Sequence, residues 1–156
     1  MSEETQQMII FDIGNEKFGI KITRVHEIIR MKEITELPDS SEYFAGIVNR
    51  RGDIVSVVDL RKRFGLEEIT ETDNTRIIVI DYQGKDVGLI VDGVSEVLHI
   101  SDSDIDDPPQ SMVGIKDDYL QGIVKVDEDI VIILDLDNLL ESKEEIELEK
   151  EVQTKE

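Results

Sequence analysis

The chemistry open to this 156-residue chain rests on 37 Asp and Glu carboxylates and two histidines, because it has no cysteine. Zero cysteine removes thiol catalysis, thiolate zinc and disulfides together, and fits a reducing compartment. Acid–base catalysis needs a carboxylate or imidazole held in a cleft. Most carboxylates here fall in loops or alternate outward on apolar segments, as on a solvated acidic face. His26 and His99 do not occupy equivalent positions of any repeat, and each reads as a surface residue rather than a base. The run Ser101-Asp102-Ser103-Asp104-Ile105-Asp106-Asp107 invites a calcium loop. Such a loop wants glycine at its sixth position and glutamate at its twelfth, where this chain has Asp107 and Val113, and Pro108-Pro109 breaks it. No phosphate-cradling glycine pattern occurs, and Arg61-Lys62-Arg63 balances nearby acids. A net charge of −20 opposes nucleic acid and anionic membranes, including nucleic-acid binding through a small barrel. The residues thus predict no catalytic site, no cofactor and no metal.

The elements that must carry these residues are short and aliphatic, with only 4% aromatics. Met8–Ile13, Lys17–Ile22, Gly46–Asn49, Ile54–Val58, Arg76–Tyr82, Val87–Val91, Gly122–Val126 and Ile130–Leu134 read as strands, and Gly14-Asn15 and Gln83-Gly84 as hairpin turns. A shift of 69 residues lays Phe11 to Ile29 over Ile80 to Leu98, matching Asp12 with Asp81, Gly19 with Gly88 and Glu27 with Glu96. A shift of 76 lays Tyr43 to Phe64 over Tyr119 to Leu140, matching Gly46 with Gly122, Asp53-Ile54-Val55 with Asp129-Ile130-Val131, and Asp59-Leu60 with Asp135-Leu136. The chain is a duplicated β unit, as expected of barrels or a sandwich. Asp59 and Asp135 are placed to cap short helices. A further short helix is expected over Thr23 to Ile29, from the spacing of Val25, Ile28 and Ile29. Gly93 in the matching stretch of the second copy predicts a weaker helix or a strand there.

The copies differ in charge. Residues 1–74 carry ten basic and fifteen acidic side chains, and residues 75–140 carry four and fifteen. The contrast is sharpest where Asn49-Arg50-Arg51-Gly52 meets Lys125-Val126-Asp127-Glu128. Gly52 suits a tight hairpin, but the tandem arginines are not needed for a turn. Two similar barrels with differently charged faces suit a protein that holds two different partners. The start, Met1 to Gln7, lacks a basic n-region, and no aliphatic run is long enough to span a membrane, so a soluble cytoplasmic protein is expected. The tail, residues 141–156, carries seven acids and three lysines and is expected to extend the last helix and fray.

The residues resemble the CheW family of chemotaxis coupling proteins over Met8 to Leu140. The strongest block is Phe44-Ala45-Gly46-Ile47-Val48-Asn49-Arg50-Arg51-Gly52-Asp53-Ile54-Val55-Ser56-Val57-Val58-Asp59-Leu60-Arg61, similar to the family's G-x-x-N-L-R-G-x-I-x-P-V-[IV]-D-L-R. Val87-Gly88-Leu89-Ile90-Val91-Asp92-Gly93-Val94 is similar to its V-G-[IL]-x-V-D-x-V stretch. Arg50 stands where the family usually has leucine, and Ser56 where it has proline. The resemblance implies an all-β fold of two five-stranded SH3-like barrels sharing an aliphatic core, plus a C-terminal helix. Residues 8–74 and 75–140 are then the two barrels, with strand exchange between them allowed. It also implies a non-enzymatic scaffold of two-component signal transduction, joining the cytoplasmic tip of methyl-accepting receptors to the regulatory domain of the histidine kinase CheA. Membrane association would be indirect, through receptor arrays at the inner face of the membrane. Receptor contact is implied for Val25, Glu27, Ile28 and Gly46, coupling for Asn49, Arg50, Arg51 and Gly52, and kinase or ring contact for Asp106, Gln110 and Ser111. The alternative is a CheW-like module of a larger signalling protein, either a kinase regulatory domain or a coupling–receiver fusion. Only the first copy can pair Glu27 with Arg51, since Arg51 is matched by Asp127 in the second. The resemblance also implies that the receptor tip docks in a groove between the barrels, and were the hairpin to lie beside the short helix, these two would meet at the rim of that groove.

Overall fold

A computed structural model describes residues 5–37, 44–67, 71–107 and 119–140. Eleven strands and two short helices follow in order: β1 (Thr5–Ile13), β2 (Glu16–Lys21), β3 (Val25–Arg30), β4 (Phe44–Arg50), β5 (Asp53–Asp59), α1 (Leu60–Arg63), β6 (Arg76–Tyr82), β7 (Lys85–Val91), β8 (Gly93–Ser101), β9 (Ile105–Asp106), β10 (Leu120–Val126), β11 (Asp129–Leu134) and α2 (Leu136–Leu140). The strands form two sheets, ordered β8-β1-β2-β11-β10-β9 and β3-β6-β7-β5-β4. Each is an SH3-like barrel.

The two orders are the same order. Each barrel runs from an edge strand through a hairpin, then by a parallel pairing into a second hairpin, with β2 beside β11 in one and β7 beside β5 in the other. Under the repeat, β1, β2 and β3 correspond to β6, β7 and β8. The leading hairpin of each copy therefore sits in the barrel built by the rest of the other copy. The boundary between residues 74 and 75 divides the repeat and not the sheets. The sixth strand is β9, paired with β10 through Asp106 and Ile123, where the sister barrel has the single bridge of Thr35 to Ile47.

This exchange explains the unbroken aliphatic runs. In β1, Met8 and Ile10 point into a barrel interior with Val124, Val131 and Ile133. The alternate residues Ile9, Phe11 and Ile13 point into a central core shared with Ile78, Ile80 and Tyr82 of β6. Ile77 and Val79 of β6 fill the other barrel with Val48, Val55 and Val57. A strand covered on both faces has no polar side to show, so its sequence does not alternate. Stacked Phe11, Phe18 and Phe64 rings lie in the shared core, with centroids 5.9 and 5.1 Å apart. The helices sit on this core through Leu60 and through Leu136, Leu139 and Leu140. The Asp59 carboxylate caps α1 by accepting from the Arg61 and Lys62 amides, and Asp135 accepts from the Asn138 amide.

The helix expected over Thr23 to Ile29 is not formed. A single 3-10 turn spans Ile22–Arg24, and Val25–Arg30 is strand β3. Valine and isoleucine fit a pleated surface, and pairing of Ile28, Ile29 and Arg30 with Ile78, Ile77 and Arg76 overrides the local spacing. The matching stretch of the second copy is strand β8. Residues 141–156 lie outside the described residues.

Candidate docking surface

The β4–β5 hairpin closes with two residues, Arg51 at φ +52° and Gly52 at φ +91°, between the paired Arg50 and Asp53. Two successive positive φ values match the twist of the flanking strands, and glycine takes the second without steric cost. The Asn49 side-chain oxygen accepts from the Gly52 amide at 2.8 Å, and its main-chain carbonyl accepts from Lys32 at 3.1 Å. Asn49 and Gly52 therefore shape the turn, which frees Arg51 to project.

Strand β3 carries a β-bulge in its pairing with β6. Val25 pairs with Ile80 and Glu27 with Val79, leaving His26 as the extra residue. A bulge re-aims side chains: His26 reaches a charged partner on β7, and Glu27 reaches two on the β4–β5 hairpin. Glu27 Oε2 lies 2.5 Å from Arg51 Nη2 and 3.7 Å from Arg50 Nη1. Arg50 Nη2 donates to Asp86 Oδ2 on β7, and Asp86 Oδ1 is 2.6 Å from His26 Nδ1. The Arg50 guanidinium holds the Asp86 carboxyl below its ordinary value; partial burial opposes this and the His26 contact adds to it. The pairing of Glu27 with Arg51 is a single contact to one nitrogen rather than a two-pronged fork. Arg51 is 74% exposed, whereas Arg50 is 13% exposed.

The other residues singled out in the sequence fall in different settings. Ile28 is exposed on β3, and Ile54 just past the turn is 65% exposed. Val25 is half-buried and packs on the central core. Gly46 is buried: a Cβ placed there would lie 2.2 Å from the Thr35 carbonyl oxygen, so only glycine lets the two chains cross. Asp106 is exposed on β9 of the other sheet, and Gln110 and Ser111 lie outside the described residues. Asp86 was missed in the sequence. Its only signal there is that Lys17 occupies the repeat-equivalent position, a reversal of charge. In the second barrel the counterparts of Glu27, Arg50 and Arg51 are Glu96, Val126 and Asp127, and no arginine stands at that hairpin. Among the described residues, no three His, Asp or Glu side chains converge on a point where a metal ion could sit. No helix of the described residues is long and apolar enough to cross a membrane. The arrangement is a charged rim beside exposed aliphatics, suited to holding another macromolecule.

A family model described as a CheW-like domain matches residues 7–144. The chain is 35% identical over 139 residues to the chemotaxis protein CheW of Klebsiella aerogenes, covering 89% of this chain and 84% of that one. It is 33% identical over 138 residues to the chemotaxis protein CheW of Bacillus subtilis, covering 88% of each. Its structure is similar to the crystal structure of the scaffolding protein TtCheW from Thermoanaerobacter tengcongensis, with a TM-score of 0.82, 35% identity and 92% of each chain covered.

Proposed function

Because this chain belongs to the CheW family, a chemotaxis family of coupling adaptors, we propose that it couples chemoreceptors to the histidine kinase CheA as a non-enzymatic scaffold. In this role it works in the cytoplasm, is recruited to receptors at the membrane, and binds both the receptor tip and the kinase's regulatory domain. The observation that carries this reading is the rim of Glu27 and the 74% exposed Arg51, flanked by exposed Ile28 and Ile54. Arginine beside aliphatics at the edge of a rigid sheet is a composition that favours protein partners. An all-acidic surface lacks that cation, and the second barrel's hairpin carries Asp127 and Glu128 in its place.

The test uses receptor-bearing membranes and CheA, with and without this protein. Added protein is expected to raise CheA autophosphorylation and make it respond to attractant. Arg51→Glu is expected to remove most of that gain, roughly tenfold, with the melting temperature nearly unchanged. Kinase output that is the same with and without the protein would overturn the proposal.

A further inference from the structure

Two arginines compete for one carboxylate at the rim. Arg51 Nη2 is in contact with Glu27 Oε2 at 2.5 Å, and Arg50 Nη1 lies 3.7 Å from the same oxygen, beyond hydrogen-bond length but within ion-pair distance. Asp86 decides the contest. One of its oxygens accepts from Arg50 and the other faces His26, so both are committed. On β6, the strand paired with β3, the positions beside the His26 bulge are Val79 and Ile80, which bring no further charge.

We propose that Asp86 is a positioning residue of the docking rim: by holding Arg50 it leaves Glu27 to Arg51, and so sets which guanidinium faces the partner. Resting on the docking surface proposed above, the inference adds a residue that itself need not touch the partner. Its physical basis is the unequal burial of the two arginines. Arg50, mostly covered, cannot trade a lost carboxylate for water and must find another anion. Arg51, mostly exposed, gives up Glu27 at little cost because water solvates it. Removal of Asp86 therefore sends Arg50 to Glu27 and leaves Arg51 without a fixed direction. The low pKa of Asp86, held down first by Arg50, is consistent with a carboxylate that stays charged for this task.

The experiment compares four full-length variants for affinity to CheA and for receptor-controlled kinase activity. Asp86→Ala is expected to weaken CheA binding about tenfold. Asp86→Ala with Arg50→Leu is expected to bind several-fold more tightly than Asp86→Ala alone, because the competitor for Glu27 is gone, and Arg50→Leu serves as its reference. Should Asp86→Ala fail to fold, Asp86→Asn keeps the side-chain volume and is expected to bind as weakly. Arginine side-chain NMR supplies a readout that a merely structural role would not move: the guanidinium of Arg51 should lose its restraint when Asp86 is removed and regain it in the double variant, while Arg50 stays restrained in the parent and in Asp86→Ala. Parent-like binding by Asp86→Ala, or a double variant as weak as Asp86→Ala, overturns the positioning role. The fourth variant, Arg51→Glu, separates the two ideas. If it binds like the parent, the docking surface itself is wrong; if it is impaired while Asp86→Ala is not, only the role of Asp86 falls.

Discussion

Glu27 and Arg51 sit 24 positions apart in sequence, and their contact is worth little to folding: an exposed pair of this kind contributes about 0–1 kcal/mol. Its value lies in direction. Arg51→Glu or Glu27→Arg alone is expected to cut kinase coupling about tenfold, and the double exchange to recover part of it, in a receptor–kinase phosphorylation assay. A double variant no better than the worse single one would show that the two residues act separately. Val25 and Ile28 separate in the same way. Val25 packs on the central core, so Val25→Asp is expected to lower the melting temperature and weaken both partners together. Ile28 is exposed, so Ile28→Asp is expected to weaken receptor binding with melting nearly unchanged. Both residues were singled out by resemblance to a known family, and nothing in their types distinguishes a core valine from a contact isoleucine. The contact of Arg50 with Asp86 was illegible for a plainer reason. It joins residues 36 positions apart on strands that are not sequence neighbours, and no local pattern encodes that.

Turn chemistry was the most legible part of the elements. Gly14-Asn15, Gln83-Gly84 and Arg51-Gly52 all stand at hairpin turns, and each supplies a glycine at positive φ, a conformation that selects glycine locally. The aspartate caps were legible for the same reason. Strand β3 was not, since three aliphatics at positions 25, 28 and 29 fit one helical turn as well as an edge strand, and only the partner β6 decides between them. Gly46 shows how a resemblance can point at a position for a structural cause. Gly46→Ala is expected to destabilise the fold by about 1–3 kcal/mol or more, as overpacking against main chain does. Any loss of receptor binding should then track the loss of stability in a denaturant titration. Receptor binding lost at full stability would restore a direct contact near Gly46.

At the scale of the molecule, Asp92 ties the halves together. It sits between β7 of one sheet and β8 of the other, takes two hydrogen bonds from Arg61 at 2.8 and 2.7 Å, and accepts the Gly14 amide at 2.6 Å. Burial pushes the Asp92 carboxyl up, but Arg61 and the Gly14 amide outweigh it and leave it below its ordinary value. A carboxyl depressed in the folded state adds stability that is present above its unfolded pKa and is lost as pH falls through the folded one. Asp92→Asn is therefore expected to melt several degrees lower at pH 7, and calorimetry should show that gap closing below about pH 4, the unfolded value. The duplication was legible in the sequence; the reciprocal placement of the hairpins was not, because both barrels present equivalent strands and either pairing satisfies the pattern. That placement governs how the chain folds. The barrel of β3 to β7 is one continuous stretch, while its sister must join Ile9 to Val97 across all of it. Loop closure over such a span comes late. A ribosome adding about 5–20 residues per second delivers β1 and β2 first and leaves both their apolar faces uncovered for several seconds. The segment Met8–Ile13 is thus the one most in need of a chaperone during synthesis, and in refolding its amides should gain exchange protection after those of β6 and β7.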